Sequence, residues 1–197
     1  MKTGYKVIKS AISEAAAELL CLQFEIRRNA IYYEKGLNPF DEEKLFEFGD
    51  EQVVRSFAQY GFVGFEGLLL QMMPAVEEAT GKKLMPAYTY GRIYYNGAVM
   101  YKHIDRPSCE YSATMTLSVD EKPWDIWMTD LKGVAKPLAL NVGDMCVYQG
   151  NVLEHWRDEY EGEKQIQVFL HYVEADGPNK AYAYDKRPML GLKKEEA

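Results

Sequence analysis

Two of the three histidines in the chain stand where they could share a task. His103-Ile104-Asp105 sets an imidazole and a carboxylate two residues apart, and His155 follows far downstream, beyond Gly143-Asp144 and Gly150. Side chains at i and i+2 of a strand point to the same side, so His103 and Asp105 can converge on one point from a strand end. Two imidazoles and one carboxylate on one face of an octahedron leave three positions open. That donor set suits iron(II) working with a chelating cosubstrate and dioxygen. A His-x-Asp pair alone also arises by chance and equally marks a hydrogen-bonded structural histidine. His171, in Val168-Phe169-Leu170-His171-Tyr172-Val173, reads as such a structural residue, because its neighbours look like a core strand.

Strands and helices must hold these groups. Over residues 10–28, Ile12, Ala16, Leu19, Leu20 and Phe24 recur at helical spacing, and Ser13 with Glu14 can open the helix. Residues 66–80 give a second helix with Leu69, Met72, Met73 and Val76 on one face and Gly81 as its C-cap. Between them, Asn38-Pro39 breaks the chain, and the acidic segment 41–50, with Leu45, Phe46 and Phe48, reads as a short helix or irregular stretch. Beyond Pro86 the composition turns to Tyr, Ile, Val and Thr in short runs. Strands are expected at 87–95, 98–103, 112–119, 126–129, 137–141, 144–148 and 165–173. Asn96-Gly97 looks like a hairpin turn between the first two. Helices followed by short antiparallel strands predict an α+β domain in which the helices buttress one face of a β-sandwich or barrel.

At 197 residues the chain suits a single domain, with a helical part at about 1–85 and a β core at about 86–175. No repeat, linker or low-complexity block divides it. The tail from Asp176 is turn-rich and then charged, through Lys193-Lys194-Glu195-Glu196, and its last residues are expected to fray. A formal charge of −7, from 30 acidic and 23 basic residues, disfavours nucleic acid as a partner. Cys21, Cys109 and Cys146 are odd in number and widely spaced, which fits a reducing interior rather than a disulfide framework. Neither a signal peptide nor a membrane span is read, so a soluble, cytoplasmic protein is expected.

The segment Tyr94-Tyr95-Asn96-Gly97-Ala98-Val99-Met100-Tyr101-Lys102-His103-Ile104-Asp105 resembles a known pattern: Tyr, Gly three later, then the His-x-Asp pair six and eight further on. Leu140-Asn141-Val142-Gly143-Asp144-Met145-Cys146-Val147-Tyr148, leading to Asn151-Val152-Leu153-Glu154-His155, resembles the turn and strand before that pattern's distal histidine. Together they are similar to the Fe(II)/2-oxoglutarate-dependent oxygenases, in their prolyl 4-hydroxylase-like branch. The likeness covers roughly residues 86–173.

It implies a double-stranded β-helix, or jelly roll, with N-terminal helices packed on the larger sheet. It also implies Fe(II) held by His103, Asp105 and His155, 2-oxoglutarate as cosubstrate and O2 as oxidant, with a substrate hydroxylated and succinate and CO2 released. A base after the distal histidine would hold the far carboxylate of 2-oxoglutarate. Lys164 stands where the resemblance puts it. Arg157 competes for the role, and a shifted strand would turn Gln165 or Gln167 inward instead. Tyr94 offers a hydroxyl to the same carboxylate, and Thr116, in phase with Ser112 and Thr114, offers another.

Met100 replaces the aromatic residue often found three before the first histidine in prolyl 4-hydroxylases, which leaves a prolyl substrate open. Arg106, Glu110, Trp124 and Trp156 are the candidate substrate contacts, for a peptide or protein substrate or a small amino acid. The tryptophans fit core packing equally well. The rival reading is a non-catalytic β-sandwich that binds a ligand or another protein.

Overall fold

The computed structural model describes residues 1–44, 46–122 and 124–193. Leu45, within the acidic segment, and residues 194–197, where fraying is expected, lie outside the described residues.

Strand β1 (Tyr5–Ile8) precedes helix α1 (Glu14–Glu34), strand β2 (Ser56–Tyr60) and helix α2 (Val63–Thr80). Eight strands follow: β3 (Leu84–Tyr95), β4 (Met100–His103), β5 (Tyr111–Ser118), β6 (Ile126–Thr129), β7 (Ala135–Leu138), β8 (Met145–Tyr148), β9 (His155–Arg157) and β10 (Lys164–Glu174). They build two antiparallel sheets, one of six strands in the order β1-β8-β5-β10-β3-β2 and one of four in the order β4-β9-β6-β7. The α+β expectation is met. β1, β2 and β9 are additions to it, too short or too polar to stand out by alternation.

The helices begin and end where local chemistry directs. Ser13 caps α1, its Oγ accepting from the Ala16 amide at 3.2 Å. Gly81 closes α2 in the left-handed region at φ 72°, where an L side chain would be strained. The buried stripe of α1 runs through Ala17, Cys21, Phe24, Arg28 and Tyr32, leaving Leu19 outside. It carries the helix six residues past its expected end at Arg28.

Asn96-Gly97 does not make the expected hairpin. The turn is there, with the Ala98 amide bonded to the Tyr95 carbonyl at 3.0 Å and Gly97 at φ 79°. β3, however, pairs with β2 and β10, while β4 pairs with β9. The turn therefore carries the chain from the large sheet to the small one. A dipeptide specifies a reversal, whereas the pairing partner is set by distant strands.

Alternation gives the large sheet two distinct faces. Outward, Ile93, Ala113, Met115, Ile166, Val168, Leu170 and Tyr172 meet Phe24 of α1 and Phe65, Leu69 and Met72 of α2 in one cluster. Inward, Tyr94, Cys146, Tyr148 and Phe169 meet Met100, Ile126 and Met128 of the small sheet in a second. The outer face is thus the structural core and the inner face a chamber between sheets.

Close approach of the helices depends on Gly91. A Cβ there would lie 2.8 Å from Phe24 Cζ and closer still to the Phe65 ring, and both phenylalanines are fully buried. Gly91→Ala is expected to destabilise the fold by about 2 kcal/mol through overpacking. The check is the denaturant midpoint at unchanged m-value. A partner change of Phe65→Leu should recover part of the loss.

Candidate metal centre

His103 ends β4 and His155 opens β9, and the two are register partners across the small sheet. Their rings lie 4.3 Å apart, and Asp105 reaches between them: its Oδ1 is 3.6 Å from His103 Nε2 and 3.5 Å from His155 Nε2. The three ligand atoms fall within 4.8 Å of one another. Each ring is keyed by its other nitrogen. His103 Nδ1 lies 2.7 Å from the Tyr101 carbonyl and His155 Nδ1 lies 2.9 Å from the Leu153 carbonyl. A carbonyl only accepts, so in a neutral ring the proton sits on Nδ1 and Nε2 carries the lone pair, whereas a protonated ring also presents an N–H from Nε2.

Asp105 is fixed from behind. Its amide donates to the Gly150 carbonyl at 2.8 Å, and its Oδ2 accepts from Ser112 Oγ at 3.1 Å. Gly150 has to be glycine, because a Cβ there would sit 2.5 Å from the Cys109 carbonyl and 2.6 Å from Ser112 Oγ. Burial alone would raise the Asp105 pKa. The imidazoles of His103 and His155, as donors and cations when protonated, outweigh it and hold the carboxyl far below the usual carboxylate range. An ionised oxygen and two imidazole nitrogens, held by Ser112 and by the Tyr101 and Leu153 carbonyls, are the donors a divalent metal requires. The residues fit such an ion.

The triad opens on a cavity of about 250 Å³. Its walls were largely invisible in the sequence: Tyr60, Tyr88, Tyr90, Tyr148 and Phe169 supply aromatic surface, and Asp50, Gln52 and Arg92 supply polar groups. Arg92 pairs with Asp50 at 2.5 Å. Arg106 also lines the cavity, as expected, and its guanidinium meets the buried Asp185 carboxylate through two bonds of 2.9 and 3.0 Å. Tyr184, Asp185 and Lys186 all have positive φ, from 53° to 65°. This is a costly backbone run for non-glycine residues, held by the contacts of Asp185 with Arg106 and Tyr60.

Several expected contacts are corrected. Lys164 lies on the outward phase of β10, opposite Tyr95, and its exposed ammonium pairs with Glu25 of α1 at 2.5 Å. It cannot reach the chamber. Trp156 points outward from β9 and stacks on Trp127 at 5.7 Å, with Lys102 above it, so it lies off the cavity. Glu110 accepts from the Glu174 amide at 2.9 Å and does not line the cavity. Trp124 faces inward but packs on Tyr94 and Tyr160, deep in the chamber rather than at its mouth.

The inward phase of β10 belongs to Gln165, Gln167, Phe169 and His171. Gln167 Nε2 donates to Thr116 Oγ1 at 2.8 Å, a bond in which the Thr116 oxygen accepts and its O–H keeps a proton to donate. Arg157 is 1% exposed, two residues past His155 on the same face. One nitrogen donates to the Trp124 carbonyl, and the guanidinium lies 4.9 Å from the Trp124 ring centroid. Its Nε and Nη2 have no partner among the described residues, nor has the Tyr94 hydroxyl. Burial depresses the guanidinium pKa, opposed by neighbours that include Tyr94 and Tyr148.

Facing antiparallel sheets, with helices on the outer face of the larger one and two histidines and a carboxylate at the mouth, define a β-sandwich whose chamber opens on a group that could hold a metal. Solved structures share this architecture. HygX from Streptomyces hygroscopicus, described with nickel and 2-oxoglutarate bound, has a TM-score of 0.64 at 14% identity, over 89% of this chain and 84% of its own. A Pseudomonas putida prolyl-4-hydroxylase gives 0.61 at 14%, over 87% and 93%. SnoN, described as a non-heme alpha-ketoglutarate-dependent epimerase from nogalamycin biosynthesis, gives 0.69 at 12%, over 98% and 88%. The chain therefore has the fold of the 2OG-Fe(II) oxygenases. No protein-family model and no curated protein matches the sequence.

His171 is a wall of the cavity rather than part of the triad, stacking on Tyr88 at 4.4 Å with its Nδ1 2.9 Å from Ser112 Oγ. Burial pushes its pKa down to about 4 from the ordinary 6.5. Between those values an unfolded chain takes up a proton that the folded one refuses. The stabilisation present above pH 6.5 is therefore lost progressively as pH falls toward 4. Chelator-treated wild type should lose up to about 3 kcal/mol more over this window than His171→Asn. Urea midpoints at pH 7.5, 6.5, 5.5 and 4.5 measure it, and parallel curves for the two proteins would disprove the assignment.

Proposed function

We propose that the chain is an Fe(II)- and 2-oxoglutarate-dependent oxygenase with a single domain of double-stranded β-helix, or jelly-roll, form. The observation that carries this reading is the convergence of His103, Asp105 and His155, with both imidazoles oriented through Nδ1 so that each Nε2 would be the ligating atom. When bound, iron and 2-oxoglutarate would supply oxidative chemistry, using dioxygen to oxygenate a substrate while 2-oxoglutarate leaves as succinate and CO2.

The chain's own residues do the positioning. Arg157, one strand repeat or about 6.6 Å beyond His155, is a buried cation in want of an anion, with the unpartnered Tyr94 hydroxyl as a second donor. Together they suit the far carboxylate of 2-oxoglutarate, and Trp124 walls that end from water. Arg106 and the aromatic wall are left for a substrate of modest size, a peptidyl prolyl-type residue or an amino acid. Presence of Asp105 in the triad favours hydroxylation. Three buried, unpaired cysteines suit an intracellular setting. Among the described residues no helix is long and apolar enough to cross a membrane.

Anaerobic addition of iron(II) and 2-oxoglutarate should produce a visible charge-transfer band and, on admitting oxygen, stoichiometric succinate. Folded protein without the band would sink the proposal. His155→Ala should abolish it. Arg157→Met should weaken 2-oxoglutarate binding by about a hundredfold while raising stability without cosubstrate, since an unpaired buried charge is removed. Lys164→Ala should leave the affinity unchanged.

A further inference from the structure

Gln52, on the turn before β2, approaches the triad from outside the strand framework. Its Nε2 lies 2.9 Å from His103 Nε2, and its Oε1 accepts from Arg92 Nη2 at 2.7 Å. That same guanidinium nitrogen bonds Asp50 Oδ2 at 2.5 Å. The Asp50 carboxylate accepts from the Tyr90 hydroxyl at 2.7 Å and from the Val53 amide at 2.9 Å, closing the turn on which Gln52 rides.

This network fixes the direction of every bond in it. A guanidinium has only donors, so the Gln52 oxygen faces Arg92 and its N–H faces His103. The Tyr101 carbonyl claims the proton on His103 Nδ1, so Nε2 of the neutral ring is the acceptor that the Gln52 amide requires. Gln52 therefore donates into the one lone pair through which His103 would hold a metal. No such bond falls on His155 Nε2 among the described residues, where the neighbour in reach is Asp105 at 3.5 Å.

We propose that Gln52 is a competitive cap on His103, exchanged for the metal when the site loads. The inference rests on reading the triad as a metal site. A lone pair cannot serve an N–H and a metal together, so each ion that binds must first break this hydrogen bond. Orientation of the ring does not depend on Gln52, because the bond from Nδ1 to Tyr101 holds it independently. Removing the amide therefore removes the competitor and leaves the ligand aligned. Gln52 competes for the lone pair without aligning the ring, and its side chain is exposed, so its loss costs the fold little.

The experiment titrates cobalt(II) into chelator-stripped wild type, Gln52→Ala and Gln52→Leu without 2-oxoglutarate, reading dissociation constants against a chromophoric chelator. Both variants should bind the ion about fivefold more tightly than wild type, equivalent to a neutral hydrogen bond of about 1 kcal/mol. Leucine keeps the bulk and lacks the donor, so a gain with alanine alone would mean relieved crowding and would overturn the proposal. Equal or weaker binding by either variant overturns it as well. Wild type that binds no cobalt(II) would instead bring down the metal-site reading itself.

Discussion

An ionised carboxylate shared between two imidazoles is the interaction on which the rest of this structure turns. Asp105 carries a charge that burial disfavours, and the imidazoles of His103 and His155, when protonated, offset that cost only if all three groups meet within a few ångströms. The meeting demands cross-strand pairing of β4 with β9, a bond from the Asp105 amide to Gly150, and room at Gly150 for a carboxylate oxygen. Divalent metal would take over the compensating role more strongly than the imidazoles alone, which links metal affinity to the same geometry.

Charge is distributed through the chamber in a graded way. At the mouth, Arg92 is neutralised by Asp50 and Arg106 by Asp185. Further in, Arg157 has no carboxylate in ion-pair reach among the described residues, and two of its nitrogens make no hydrogen bond. Leaving donors unmade in a buried site costs more than a typical hydrogen bond returns. Paired arginines at the rim can shape a wall without demanding a ligand. An unpaired one in the interior is the place where an anion gains most on entering.

Legibility from sequence followed the range over which each feature is encoded. Period-two alternation marked β3, β5, β6, β8 and β10 within a few residues, and the His-x-Asp spacing placed two donors on one side of a strand end. The error at Lys164 was one of phase. Ile166, Val168 and Leu170 all pack toward the helices, which forces Lys164 outward with them and turns Gln165, Gln167 and His171 inward. The polar residues inside an otherwise apolar strand were the available signal, since they need a polar chamber to face. Asp50, Gln52 and Asp185 gave no comparable sign. They come from a turn and from the C-terminal segment, and meet the triad region only through tertiary contacts with Arg92, His103 and Arg106.

The division between faces has a consequence for how this chain can change. On β3, Tyr94 points into the chamber and Tyr95 toward α1, although they are neighbours. On β10, Gln165 and Lys164 divide in the same way. Outward substitutions act through packing of helices on sheet, where Gly91, Phe24 and Phe65 leave almost no free space. Inward ones act on a chamber whose polar atoms are partly unsatisfied and whose rim is tied by ion pairs. Stability and ligand choice are therefore encoded on alternate residues of the same strands. The lining of the chamber can change on one parity while the other keeps the helices packed on the sheet.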